Sequence, residues 1–100
     1  MKVTNMTSSK GNPIANQFII TNRDVEYFQS YNSIIALKER VTHRNNGNEF
    51  CSEIVIKLDE NYWDYSTTTG KYRNQFLGET KKETQAKIDS GEYVLVDLNN

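Results

Sequence analysis

Asn46-Gly47 sits between two stretches that suit paired strands, and no other feature restricts the fold of this chain so tightly. Both central residues of a two-residue type I′ turn need positive φ, which Asn-Gly tolerates better than most dipeptides. After it, Phe50, Ile54, Ile56 and Leu58 alternate with Glu49, Glu53 and Lys57, the period of a strand with one buried face. Such a strand needs a partner, and the turn delivers residues 34–44. Ser33 ahead of Ile34, Leu37, Lys38 and Val41 would also suit a capped helix, but the turn favours a long hairpin with Ile35, Leu37 and Val41 inward. A two-residue turn also sets the register. His43 then pairs with Phe50 and Cys51 with Thr42, which separates the only histidine from the only cysteine and opposes a Cys/His nucleophile pair. A three-residue loop would bring them together.

The flanking segments extend this pattern. KVTNM (2–6) reads as a short strand and TSSKGNP as a polar loop ending in the only proline, Pro13. QFIIT (17–21), a turn at Asn22, Arg23 and Asp24, and VEYFQSY (25–31) form a second hairpin. Val25, Tyr27 and Tyr31 point one way in it, and Glu26, Phe28 and Ser30 the other. Beyond Asp59 the period changes. Tyr72, Phe76 and Leu77 followed by Gly78 define a short helix, for which Thr67, Thr68 and Thr69 are N-cap candidates. Thr80 and Glu83 then form a capping box for a helix that carries Thr84 and Ile88 and stops at Gly91. YVLVDL (93–98) is apolar on both faces and reads as an interior strand. The expected architecture is a single α+β domain over residues 1–100. It has an antiparallel sheet of about five to six strands, two short C-terminal helices on one face and a final strand.

Composition bounds the function. One hundred residues give room for one core, and at 36% apolar content that core must lean on six Tyr, four Phe and one Trp. Twelve cations against thirteen anions give no global field to draw the protein onto nucleic acid or an acidic membrane. A single cysteine forbids an internal disulfide and suits a reducing compartment. MKVTNMTSSKGN lacks the apolar stretch of a secretory signal, and no run approaches the roughly 20 apolar residues of a membrane span. A soluble cytosolic protein with no membrane partner is expected.

The chemistry-bearing residues converge on NYWDYSTTTGKYRNQFLG (61–78). TTTGK evokes a phosphate-binding loop, but Tyr65 and Tyr72 stand where that loop needs a glycine and a Ser or Thr. Asp59, Glu60 and Asp64 could form a metal or acid/base set, but three acids in a loop are more often solvent-facing turn and cap residues, and no histidine accompanies them. Lys71, Arg73, Lys81, Lys82 and Lys87 beside Tyr62, Trp63, Tyr65 and Tyr72 suit phosphate contact and base stacking. Interleaved Glu79, Glu83 and Asp89 make the same stretch an ordinary solvated helix face. Tyr, Trp and Arg are also the types enriched at protein interfaces. No catalytic set, metal site or cofactor loop converges, so a non-enzymatic binding role is expected, with Tyr62, Trp63, Tyr65, Arg73, Lys81 and Lys82 as partner-binding residues.

NQFII, EYFQSYNSIIA, LDENYWDYSTTTGKYRNQFLGETKKET and KIDSGEYVLVDLN resemble a family of short uncharacterised proteins encoded by phages and prophages, a domain of unknown function. The likeness runs from Asn16 onward and is most specific at WDYSTTTGKYRNQFL. No activity or cofactor comes with it. It implies a small protein made inside an infected bacterium, where such proteins commonly bind and inhibit a host enzyme, a CRISPR effector or another defence nuclease among them. Direct nucleic-acid binding by the helical basic and aromatic face is the alternative.

Overall fold

The computed structural model describes residues 1–45 and 49–100. Five strands follow one another: β1 (Lys2–Thr7), β2 (Pro13–Asn22), β3 (Val25–Ser30), β4 (Ser33–Asn45) and β5 (Glu49–Asp59). Two helices, α1 (Thr67–Leu77) and α2 (Lys81–Asp89), precede a short β6 (Val94–Val96). The sheet has the order β1-β2-β3-β4-β5-β6. Consecutive strands pair antiparallel through β5, and β6 pairs parallel to β5. A parallel neighbour cannot be reached by a tight turn, and the helices provide the crossover. The α+β expectation therefore holds for a mostly antiparallel, mixed sheet.

Cross-strand partners share a face, so the register defines the layers. Thr4, Ile19, Phe28, Ala36 and Leu58 lie opposite one another across five strands. Phe28, Ala36 and Leu58 are fully buried there and cluster with Met6, Ile35, Phe76 and Tyr93. The Phe28 and Phe76 rings stack at 5.8 Å, which seats α1 on this face. The other face carries Val3, Ile20, Tyr27, Leu37 and Lys57 in one row.

Three expectations about the strands are corrected. Strict alternation through β4 fails because Phe28 pairs with Ala36 while Gln29 pairs with Ile34, leaving Ile35 as a bulge residue. Ile35 and Ala36 consequently both enter the helix-side core. Leu37 is buried on the opposite face, in the row of Tyr27, and half-buried Val41 shares its parity. In the β4–β5 ladder Asn45 pairs with Glu49 and His43 with Cys51, one residue away from the register of a two-residue turn. The Asn46-Gly47 turn itself lies outside the described residues. The final strand is an edge strand, not an interior one. Val94 and Leu95 are 47% and 37% exposed, and only three residues pair before the chain turns to hydrogen bonds with side chains.

The helix ends follow their sequence signals with one change. Ser66, extended at φ −152°, caps α1 by accepting from Thr69 N, so the three threonines form the first turn. Gly78 ends that helix in the left-handed region at φ 70°. Thr80 and Glu83 form the expected capping box on α2. No helix among the described residues is long and apolar enough to cross a membrane.

A polar knot fastens α2 to the strand that follows. The Glu79 carboxylate accepts from Thr84 Oγ1 at 2.6 Å, Tyr93 Oη at 2.6 Å and Lys87 Nζ at 2.9 Å. Burial alone would raise the Glu79 carboxyl, but the hydrogen bonds from Thr84, Tyr93 and Lys87 outweigh it and hold it below its ordinary value of 4.5. Burial, and then the bond to Glu79, push Tyr93 up to about 12. A lowered acid stabilises the fold above its unfolded pKa and loses that contribution as pH falls through the folded value. A raised phenol stabilises below its unfolded pKa near 10.0 and loses it as pH rises toward about 12. Denaturation curves across pH should therefore show stability falling at both extremes. Glu79→Gln should remove this group's part of the acid limb, and should let Tyr93 titrate nearer its ordinary value in an absorbance titration.

Candidate functional site

The loop between β5 and α1 is shaped first by Asp59. This carboxylate is fully buried, and its Oδ2 accepts from Asn61 N at 3.0 Å and Tyr62 N at 2.9 Å. Its Oδ1 accepts from Leu98 N at 2.8 Å and Asn99 Nδ2 at 2.9 Å. Four N–H donors satisfy the buried charge. Trp63 N returns to Asp59 O and Tyr65 N to Tyr62 O, so residues 60–65 coil tightly into the Ser66 cap.

Arg73 clamps the same loop from beneath. Its side chain is only 1% exposed, and Nη1 donates to Trp63 O at 2.6 Å while Nη2 donates to Asn74 Oδ1 at 3.0 Å. The guanidinium lies 5.2 Å from the Trp63 ring centroid, a cation–π distance. Asp64 completes the clamp, bridging Arg73 Nη1 at 3.4 Å and Lys81 Nζ at 2.7 Å. Burial would raise Asp64, but Lys81 first and then Arg73 hold it below the usual carboxylate range. Asp59 and Asp64 are thus both occupied by partners of their own. Among the described residues no group of three His, Cys, Asp or Glu side chains could hold a metal ion.

The loop has two sides. Trp63 and Asp64 face Arg73, and half-buried Trp63 packs against the core. On the other side Tyr62 and Tyr65 border a cavity of about 440 Å³ with Ser30, Tyr31, Asn32, Ser33, Ile35 and Thr69. The Tyr62 and Tyr65 rings meet at 5.4 Å and 60°, forming a corner. Ser30 Oγ and Thr69 Oγ1, 3.0 Å apart, share a buried hydrogen bond. Tyr65 is 69% exposed and Tyr31 is 51% exposed.

Tyr31 is held in the left-handed region at φ 55°, a conformation that a bulky side chain rarely adopts and that costs of order 1–3 kcal/mol. Its N–H donates to Asn16 O at 2.7 Å and its carbonyl accepts from Gln29 Nε2 at 2.7 Å. The turn is thereby fixed from both sides. Gln17, opposite Ser30 in the ladder, is fully buried, and neither of its amide atoms has a hydrogen-bond partner. Two stability defects, a strained tyrosine and an unsatisfied buried amide, thus accompany the same turn.

The six residues singled out from sequence fall into three places. Tyr62 and Tyr65 reach the tyrosine cavity. Trp63 and Arg73 lie beneath the loop and hold it in place. Lys81 is tied to Asp64, and it lines a shallow groove on α2 with Lys82, Gln85, Ala86 and Asp89. The residues that sequence reasoning missed are Ser30, Tyr31, Asn32 and Thr69. Asn32 and Ser33 mark a turn after a strand, but nothing local announces a tyrosine in the left-handed region.

A compact α+β scaffold that presents a preformed, uncharged cavity defines a class of small protein with a candidate binding surface. The chain belongs to the family of unknown function DUF8033, which matches residues 1–92 and so ends before β6 begins. No curated protein matches the chain, and no solved structure matches it.

Two substitutions test these assignments. Arg73→Leu should lower stability by about 1–3 kcal/mol, because the Trp63 carbonyl loses a charged donor while exposed Asp64 keeps Lys81, and Trp63 fluorescence should shift to the red as the loop releases. Gln17→Met should raise stability by about 1–2 kcal/mol, because a similar apolar volume replaces an unsatisfied amide. Urea denaturation reads both.

Proposed function

We propose that this chain is a non-enzymatic binding protein that engages a partner protein through the tyrosine surface formed by Tyr31, Tyr62 and Tyr65. The observation that carries the reading is the pairing of exposed aromatic rings with rigid support. Tyr65 and Tyr31 stand more than half exposed on segments fixed by Asp59, Arg73 and the bonds to Asn16 and Gln29. Preorganised aromatics of this kind dominate protein interfaces because little side-chain entropy is lost on contact. The acidic groups flanking the cavity are engaged in holding the loop, which leaves no converging acid, base and nucleophile there.

The partner class follows from the resemblance to short phage and prophage proteins: a host enzyme, defensive or regulatory, of which a CRISPR effector or another defence nuclease is one kind. Lys81 and Lys82, which line the groove on α2, would contribute to encounter through charge. Trp63 and Arg73 act by holding the loop. Nucleic-acid binding by the helical face is the weaker reading, because Arg73 is buried and Lys81 and Lys87 are already paired with Asp64 and Glu79.

Affinity capture from a bacterial lysate, analysed by mass spectrometry, should enrich a specific protein with the wild-type chain. The Tyr62→Ala, Tyr65→Ala double variant should lose it while keeping its circular dichroism, with a melting transition lowered only by the core packing that Tyr62 gives up. Enrichment that survives the double variant, or salt-sensitive binding of an oligonucleotide in its place, would overturn the proposal.

A further inference from the structure

From the chemistry of the cavity we infer that the tyrosine surface recognises an extended, proline-rich segment of its partner; this rests on the reading of Tyr62 and Tyr65 as contact residues. No residue lining the cavity carries a charge, so neither a phosphate nor an ionic side chain finds an opposite charge in it. The polar groups around it are the hydroxyls of Ser30, Ser33 and Thr69, those of the tyrosines, and the amide of Asn32. Ser30 and Thr69 use one hydroxyl proton on each other, while the hydroxyls of Ser33 and the tyrosines and the amide of Asn32 can donate to a ligand that presents carbonyl oxygens. A polyproline II strand is such a ligand. Its prolines have no N–H, its carbonyls are free of internal bonds, and its conformation is largely set before binding.

The shape agrees with that chemistry. Tyr62 and Tyr65 meet at 60° with 5.4 Å between centroids, a tilted pair in contact with each other that leaves outer ring surface on which a puckered pyrrolidine can stack. Tyr31 adds a third ring to the lining. Along polyproline II, residues on one face recur every three positions, about 9 Å apart at 3.1 Å rise per residue, so one segment can offer successive rings to separate aromatic surfaces. Aromatic-lined grooves are the general means of binding such segments. A nucleic-acid strand would call for cations beside the stacking rings, and none lines this cavity. A saccharide would present many donors of its own, and the cavity offers them no carboxylate.

The strain at Tyr31 fits the same role. Glycine adopts φ near 55° freely, whereas tyrosine there adds an aromatic ring at the expense of stability. Tyr31→Gly should consequently fold at least as well as the wild type to within about 1 kcal/mol, which separates binding from folding.

The test is a titration of the isotopically labelled full chain with a synthetic ten-residue proline peptide, followed by amide chemical shifts, and with an alanine-serine peptide of equal length. The proline peptide should move the resonances of residues 30–33, 62–66 and 69, and the control should not. Tyr65→Ala and Tyr31→Gly should each weaken the response by roughly tenfold or more, as loss of an interface anchor does. No shift at ~1 mM peptide, a weak limit for a specific site, would overturn the inference, as would shifts confined to other residues. A response at the same residues to a chito-oligosaccharide or a single-stranded oligonucleotide, but not to the proline peptide, would also overturn it. If the peptide fails while capture of a partner still depends on Tyr62 and Tyr65, the ligand chemistry alone falls. Failure of both removes the binding surface itself.

Discussion

The buried carboxylate of Asp59 is the interaction on which the upper end of this molecule depends. An ionised group without solvent must find several donors or it destabilises the fold, and here the four donors come from two distant parts of the chain. Asn61 and Tyr62 supply two of them from the loop, and Leu98 and Asn99 supply the others. Asn99 goes further, accepting from Ile34 N at 2.7 Å and donating to Ile34 O at 3.0 Å. Asp59, with Asn99 as its relay, thus joins the end of β5, the start of β4, the aromatic loop and the segment after β6. Removing it would leave four donors without an acceptor in the places that define the cavity.

Around that anchor the cavity has two walls of different physical character. The loop wall is held by attraction, with Arg73 binding the carbonyl of Trp63 from below and Asp64 from the side. The turn wall is held against resistance, since Tyr31 occupies a backbone region it would leave if Asn16 and Gln29 released it. Both arrangements limit the motion of exposed tyrosines. For a surface that binds through a few aromatic rings, rigidity before contact favours affinity. The unsatisfied amide of Gln17 beside Ser30 belongs to the same region, where local rules of stability are broken together.

Much of the fold was legible because it depends on local periodicity. Alternation placed β2, β3 and β5, and the Thr80 and Glu83 pair marked the start of α2 by a mechanism confined to one turn. The β4 bulge was not legible, since Ile35 and Ala36 look like any apolar run and only their pairing with Phe28 and Gln29 reveals the extra residue. The parallel, exposed β6 escaped for a related reason. Apolar residues on both faces suggest an interior strand, whereas here they lie at an edge and depend on an irregular segment anchored to Asp59. At the site, the richness of residues 61–65 in aromatics pointed to the loop that borders the tyrosine cavity. It could not divide that loop into Tyr62 and Trp63, which are half-buried and pack against the core, and Tyr65, which stands exposed. Arg73 read as a surface cation because arginines usually are; its burial follows from a carbonyl and an aromatic face that only the folded loop brings together.

The parallel pairing of β5 with β6 has a consequence for the order in which this protein takes shape. The successive hairpin contacts from β2 through β5 close short loops and can form early, while Lys57 meets Val94 only across a long intervening chain that contains two helices. The donors of Leu98 and Asn99 therefore reach Asp59 late, after the sheet is largely built. Half of the donors that hold the Asp59 loop thus come from the contacts of greatest sequence separation, and the shape of the cavity beside that loop is contingent on them.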